Sequence, residues 1–283
     1  MKADNKDIIT PHITDGSYLE YPCFEPGFAC HVNLPHWAPV HIGPITLDFS
    51  PTKHVVMLLI AAALCLITLL LAARAHRRQH LSSGKPTGFA NGIEALVLYI
   101  RQEVILPNVG HHGERYAPFL LTLFFFILFA NLLGLIPYGA TATGNIAVTG
   151  MLAIITLVVV EVAGMRALGA AGYMKTIVYW PSDQPFIMKA LLTLIMTPIE
   201  FMGKFTKPIA LALRLFANMT AGHIVVLALI GLIFTFGSYA IAPLPLLMAL
   251  AIMVLEVFIA FLQAYVFVLL SSVFIGLIRE GAH

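Results

Sequence analysis

The sequence predicts an all-α membrane protein with five bilayer crossings and a surface amphipathic helix, the last two helices long and strongly tilted. Three observations carry this. Of the 283 residues, 59% are hydrophobic and 11% charged, against about 25% charged in a soluble domain. Apolar runs long enough to span a bilayer recur along most of the length. Lys and Arg collect on alternate connections between those runs. Other classes are excluded by the same reading. The net charge of +2 is too small to suggest a nucleic-acid partner, and there is no Gly-rich phosphate loop, HExxH or CxxC pair. No cofactor or metal is therefore expected.

Residues 1–53 form the predicted extramembrane segment and residues 54–283 the membrane domain. The N-terminal stretch MKADNKDIITPHITDG lacks an apolar core and does not read as a cleaved secretory signal. The rest of the segment is rich in Pro, His and aromatics without helical period, so turns and little regular structure are expected. His12, His31, His36 and His41 have no ligand spacing and read as exposed loop histidines. Cys23 and Cys30 are open to pairing if the segment lies outside the cytoplasm. Cys65 sits in an apolar run as a small packing residue.

The first span is placed at 55–73, VVMLLIAAALCLITLLLAA, and RAHRRQHLSSGK follows it. Arg74, Arg77, Arg78 and Lys85 put that end in the cytoplasm and the N-terminal segment outside. Residues 89–106 differ. Ile93, Leu96, Val97, Ile100 and Val104 share one helical face, while Glu94, Arg101, Gln102 and Glu103 interrupt the run too often for a span. An amphipathic helix on the cytoplasmic surface is predicted, ended by Pro107 and Gly110. The second span is placed at 118–136, with Asn131 its main polar residue, and the third at 145–163, with Glu161 near its end as an interfacial charge. The turn PYGATATG between them carries no Lys or Arg and reads as an outside connector, whereas the stretch from Arg166 to Lys189 reads as inside.

The fourth region, 186–236, is about fifty residues without a charged or turn-rich connector. As one helix it would be about 75 Å long against about 30 Å of hydrocarbon. Two upright spans would need a connector, so one tilted helix, bent near Pro198 and Pro208, is the better reading. The fifth region, 240–278, ends at Arg279 in the cytoplasm. No internal repeat is visible, which weighs against a transporter built on inverted repeats.

Buried ionisable groups point to function. Arg214 lies between PIALAL and LFA, and a charge at mid-membrane costs about 2.5–3.5 kcal/mol on insertion scales. At about 100° per residue, Glu200, Lys207, Arg214 and Asn218 fall on one face, with His223 opposite Arg214. In the last helix Glu256 and Gln263 share a face, and Glu256 is embedded in ALAIMVLEVFIAFLQA. His223 and Glu256 both fall toward the outer ends of antiparallel neighbours, where they would form a titratable pair in a pocket opening outward. Glu200 falls toward the cytoplasmic end, with Arg214 between the two groups. That order implies two proton paths to opposite surfaces, separated by a charge that cannot itself release a proton. The plainer readings are snorkelling for Lys204 and Lys207, and interhelical hydrogen bonding for Asn131, Asn218 and Gln263. A structural anchor would leave Arg214 unexplained.

The run KPIALALRLFANMTAGH, followed some forty residues on by EVFIAFLQAYVFVLLSSVFI, closely resembles subunit a of the F-type ATP synthase, bacterial type, as do NLLGLIP and GNIAVTG. The resemblance covers about residues 50–280. It implies a non-catalytic stator of the F0 sector in the bacterial inner membrane, N-terminus periplasmic, with protons as the transported ion. Its implied partners are the c-subunit rotor ring, the b-subunit peripheral stalk, the other synthase subunits and membrane lipid. Arg214 matches the family's essential arginine facing the ring, with Asn218 and Gln263 lining that region. Glu200 matches a position of the cytoplasmic half-channel. Some bacterial relatives have Glu at the position of His223 and His at that of Glu256; the exchange keeps one acid and one imidazole in one pocket. Some relatives carry an acid where Gly134 stands, so any role for that acid is absent or moved here.

Overall fold

The computed structural model describes residues 14–22, 29–42, 45–82, 88–110, 113–136, 139–178, 185–236 and 242–280. Among the described residues, five helices are long and apolar enough to cross a membrane. They are α1 (Lys53–Ser82), α4 (Ala117–Gly134), α5 (Ile146–Ile177), α6 (Phe186–Phe236) and α7 (Pro243–Glu280). Between the first two lie α2 (Phe89–Tyr99), a widened π-type turn over Ile100–Ile105 and the short α3 (Leu106–Val109). The number of long apolar helices is thus the number of crossings expected.

Four strands precede α1: β1 (Tyr18–Pro22), β2 (Ala29–Asn33), β3 (Val40–Ile42) and β4 (Ile45–Leu47). β1 pairs antiparallel with β2, and β3 with β4. This exceeds the little regular structure expected of the segment. The strands are short, and Pro and His interrupt any longer alternation that would have revealed them. The first hairpin is tied to the start of α1. Lys53 N–H donates to the Gly16 carbonyl at 2.9 Å, and His54 Nδ1 stands 2.9 Å from Asp15 Oδ1. His36 and His41 are exposed. Cys23 and His12 lie outside the described residues, and with Cys23 the question of a Cys23–Cys30 bond. Cys65 is buried and free.

Other local readings change. Pro107 does not stop the amphipathic segment; the helical path continues through it into α3, and Gly110 at φ 71° ends the helix. The π-type turn rotates the face, so Ile105 joins Ile100 and Val104 in burial. The third span continues past 163 until Gly169, where φ of 69° breaks the helical path, and a further helical piece runs to Ile177. A conformation of that sign is open to glycine without strain. α6 runs unbroken through Pro198 and Pro208, and its 51 residues make it about 75 Å long.

The chain divides into two compact units. One comprises Met1–Thr68, Phe126–Val148 and Leu215–Gln263; the other Leu69–Phe125, Thr149–Arg214 and Ala264–His283. In the second, the C-terminal turns of α7 are seated on α3. Gly276 presses on the carbonyl of Asn108, and Arg279 donates to the Val109 carbonyl at 3.1 Å with its guanidinium over the Tyr116 ring. Gly164 gives Ile278 its place against α5: a Cβ there would stand 2.7 Å from Ile278 Cγ1.

Candidate functional site

The first unit holds a largely polar, partly buried cluster built from four pieces of chain. α4 supplies Asn131 and Gly134, the α4–α5 loop Thr141 and Thr143, α6 Asn218, Thr220, Gly222 and His223, and α7 Glu256 and Gln263. Asn131 is fully buried. It donates to the Ala260 carbonyl at 3.3 Å and accepts from Thr143 Oγ1 at 2.8 Å. The expected role of Asn131 as hydrogen-bonding glue between helices is what these contacts describe.

The loop, read from the sequence only as an outside connector, is folded into the protein. Ala140, Thr141, Ala142 and Thr143 are all buried. Turn hydrogen bonds fold it on itself, with Gly139 N–H donating to the Ile136 carbonyl at 2.8 Å and Gly144 N–H to that of Thr141 at 2.9 Å. Being uncharged and small, it can enter an apolar interior once its hydroxyls are paired. Thr141 Oγ1 is hydrogen-bonded to His223 Nε2. Gly134 makes this possible: a Cβ there would lie 2.7 Å from Thr141 Cβ and overlap its hydroxyl. The space that a side chain at position 134 would fill is thus taken by Thr141.

α6 and α7 meet at two levels in this unit. Asn218 Nδ2 donates to Gln263 Oε1 at 2.9 Å. Four residues further along α6, the Glu256 carboxyl lies so close to Gly222 that any Cβ there would overlap its Oε1. Position numbers rise on one helix as they fall on the other, so the two run antiparallel here, as expected. His223 and Glu256 are brought to adjacent levels, and Glu256 is 5% exposed. Thr220 Oγ1, Glu256 Oε1 and Gln263 Nε2 are buried with no protein hydrogen-bond partner among the described residues. Buried polar atoms of that kind are places for water or for a partner's polar group.

In the second unit, α5, α6 and α7 enclose a cavity of about 230 Å³ whose charged lining is Glu161, Glu200, Lys204 and Lys207. Lys204 Nζ is 3.4 Å from Glu161 Oε2 and 3.2 Å from the Tyr173 hydroxyl, and stands 4.3 Å above the Tyr173 ring. Lys204 is therefore held rather than simply snorkelling, and Glu161 is an ion-pair partner. Lys207 is exposed, with its ammonium 5.5 Å from the Phe274 ring.

Arg214 is the last residue of α6 in the second unit. It is exposed, as are Leu213 and Ala217 beside it and Asn218 one turn on. Glu200, in the same unit, lines the cavity. In the first unit His223 is half-buried against the loop. Thr141, Gly222 and Tyr173 were missed in the sequence, and Gly134 was noted only as the place of an acid in some relatives. The one available signal was the placing of two hydroxyls in a turn without charges, next to a small residue at 134.

Comparison with known proteins gives one family. A family model described as ATP synthase A chain matches residues 55–276. "ATP synthase subunit a" of Chloroherpeton thalassium is 46% identical over 94% of this chain and 74% of its own length. That of Myxococcus xanthus is 48% identical over 84% of this chain and 76% of its own. "ATP synthase subunit a 2" of Chlorobaculum tepidum is 45% identical over 98% and 74%. With apolar helices, motif region and most of its length all matched, the chain belongs to the ATP synthase A chain family.

Proposed function

We propose that this chain is the proton-translocating stator of a rotary ATP synthase, working through two offset half-channels with Arg214 between them. The observation that carries the reading is the exposure of Arg214 on a helix with little buried surface of its own. A guanidinium in an apolar span does not face lipid at ease. An exposed one implies a partner of opposite charge, and a ring of c subunits bearing carboxylates supplies it.

The outer path runs to His223 and Glu256, whose surroundings hold the three unpartnered buried polar atoms. A proton arriving there neutralises a ring carboxylate, which then turns away into the lipid. Nearly a full turn later the carboxylate reaches the other path, at the cavity lined by Glu200, and releases its proton. Arg214 blocks a direct passage because a guanidinium keeps its proton at any ordinary pH. It also draws the incoming carboxylate to its ionised form. Asn218 and Gln263 line the approach to the ring. The driving term is about 2.3 kcal/mol per charge per 100 mV.

In this arrangement the protein is multi-pass in the bacterial inner membrane, N-terminus periplasmic and C-terminus cytoplasmic, beside the b-subunit stalk and the other synthase subunits. It is itself non-catalytic. The test is Arg214→Ala in the assembled complex. ATP synthesis and proton-driven rotation are lost while the complex still assembles; normal coupled synthesis would sink the reading.

A further inference from the structure

We propose that Thr141 is the positioning residue of the outer path, holding the His223 ring in one orientation through both of its protonation states. The inference rests on the outer path proposed above and adds a group to it. Thr141 comes from a loop and yet is 6% exposed, with its hydroxyl on His223 Nε2. A hydroxyl is both donor and acceptor, and its hydrogen turns to suit. It donates to Nε2 when that nitrogen is bare and accepts from it when it carries a proton. A carboxylate could only accept, and an amide would have to flip.

The loop is built to deliver this hydroxyl. Gly139 has no room for a Cβ, which would come within 2.7 Å of the Leu133 carbonyl oxygen. Gly134 leaves the space that Thr141 occupies. Thr143 anchors the same loop through fully buried Asn131. The titratable group facing this level of α6 from α7 is Glu256, against Gly222. From the loop the facing residue is Thr141, behind which Gly134 of α4 stands without a side chain. The ring therefore has a neutral, reversible partner on the loop side, and an acid stands on α7 against the neighbouring Gly222.

The experiment compares Thr141→Val, Thr141→Ser and Gly134→Ala in whole synthase reconstituted into vesicles, reading ATP-driven proton pumping against pH on the outer side. Loss of a buried hydrogen bond is expected to slow pumping by Thr141→Val about tenfold and to shift its pH profile. Thr141→Ser keeps the hydroxyl and retains the wild-type profile. Gly134→Ala displaces Thr141 and resembles Thr141→Val. Where Thr141→Val does not assemble, Thr141→Cys, close in size but a weak hydrogen-bonding group, takes its place. A wild-type profile in the valine or cysteine variant overturns the proposal, as does a serine variant no better than valine. Arg214→Ala run alongside separates the cases: if it retains coupled synthesis, the stator reading itself has failed.

Discussion

Asn218 and Gln263, 45 positions apart in sequence, share one hydrogen bond of 2.9 Å that joins α6 to α7. Asn218 is exposed and Gln263 is 4% exposed, so the bond runs from the surface of the first unit into its interior. The remaining Gln263 donor, Nε2, has no protein partner among the described residues.

Asn218→Ala and Gln263→Ala are expected to act as a unit. Each alone slows ATP-driven proton pumping by about three- to tenfold, the worth of a partly buried amide bond. The double variant costs little more than the worse single one, because the second substitution removes a group already unpaired. Fully additive losses in the cycle would show that the two residues act separately.

Gly222 sets the depth of Glu256. A methyl group at 222 overlaps the Glu256 carboxyl, and overpacking of this kind costs about 1–3 kcal/mol when neighbours are displaced. Gly222→Ala is thus expected to block the outer path while leaving α6 helical. Gly231→Ala, on the same helix with nothing within 4 Å of the added carbon, serves as the silent control. Equal proton pumping in the two variants would show that Glu256 tolerates the shift.

The pair of Lys204 and Glu161 is predicted to be structural. Their side chains are 12% and 20% exposed, between an exposed pair worth about 0.2–1 kcal/mol and a buried one whose breaking costs about 3–5 kcal/mol. Lys204→Met or Glu161→Gln alone leaves a charge beside the cavity and lowers the thermal stability of the purified complex. The two together recover most of the loss. A double variant as unstable as the sum of the singles would assign each residue its own separate role.

The helices and the phase of their polar residues were legible because hydropathy and the 3.6-residue period are local properties. That Arg214 and His223 fall on opposite faces was read from a spacing of nine residues, with no sign of which face is buried. Tertiary approach was not legible. That Thr141 sits on His223, or Glu256 on Gly222, depends on distant segments meeting, and a turn without charges carries no mark distinguishing burial from exposure. The strands before α1 were too short, and too broken by Pro, for alternation to declare them.

Arg214→Lys tests why the barrier is an arginine rather than merely a positive charge. Both side chains are cationic in water, and both are long enough to meet a carboxylate from the exposed face of α6. They differ in how firmly they hold the proton. An ammonium gives up its charge readily in an apolar setting, whereas a guanidinium does not, and the flat fork of donors also grips a carboxylate at two points. Lysine at 214 would leave the face intact and the complex assembled, yet provide a group that can take a proton from one side and release it to the other. The expected outcome is loss of ATP synthesis by at least about tenfold. Passive proton leak through the membrane sector should exceed that of Arg214→Ala, measured as pH decay in vesicles under an imposed gradient. If Arg214→Lys couples as well as the wild type, fixed charge alone suffices and proton retention by arginine is not the barrier.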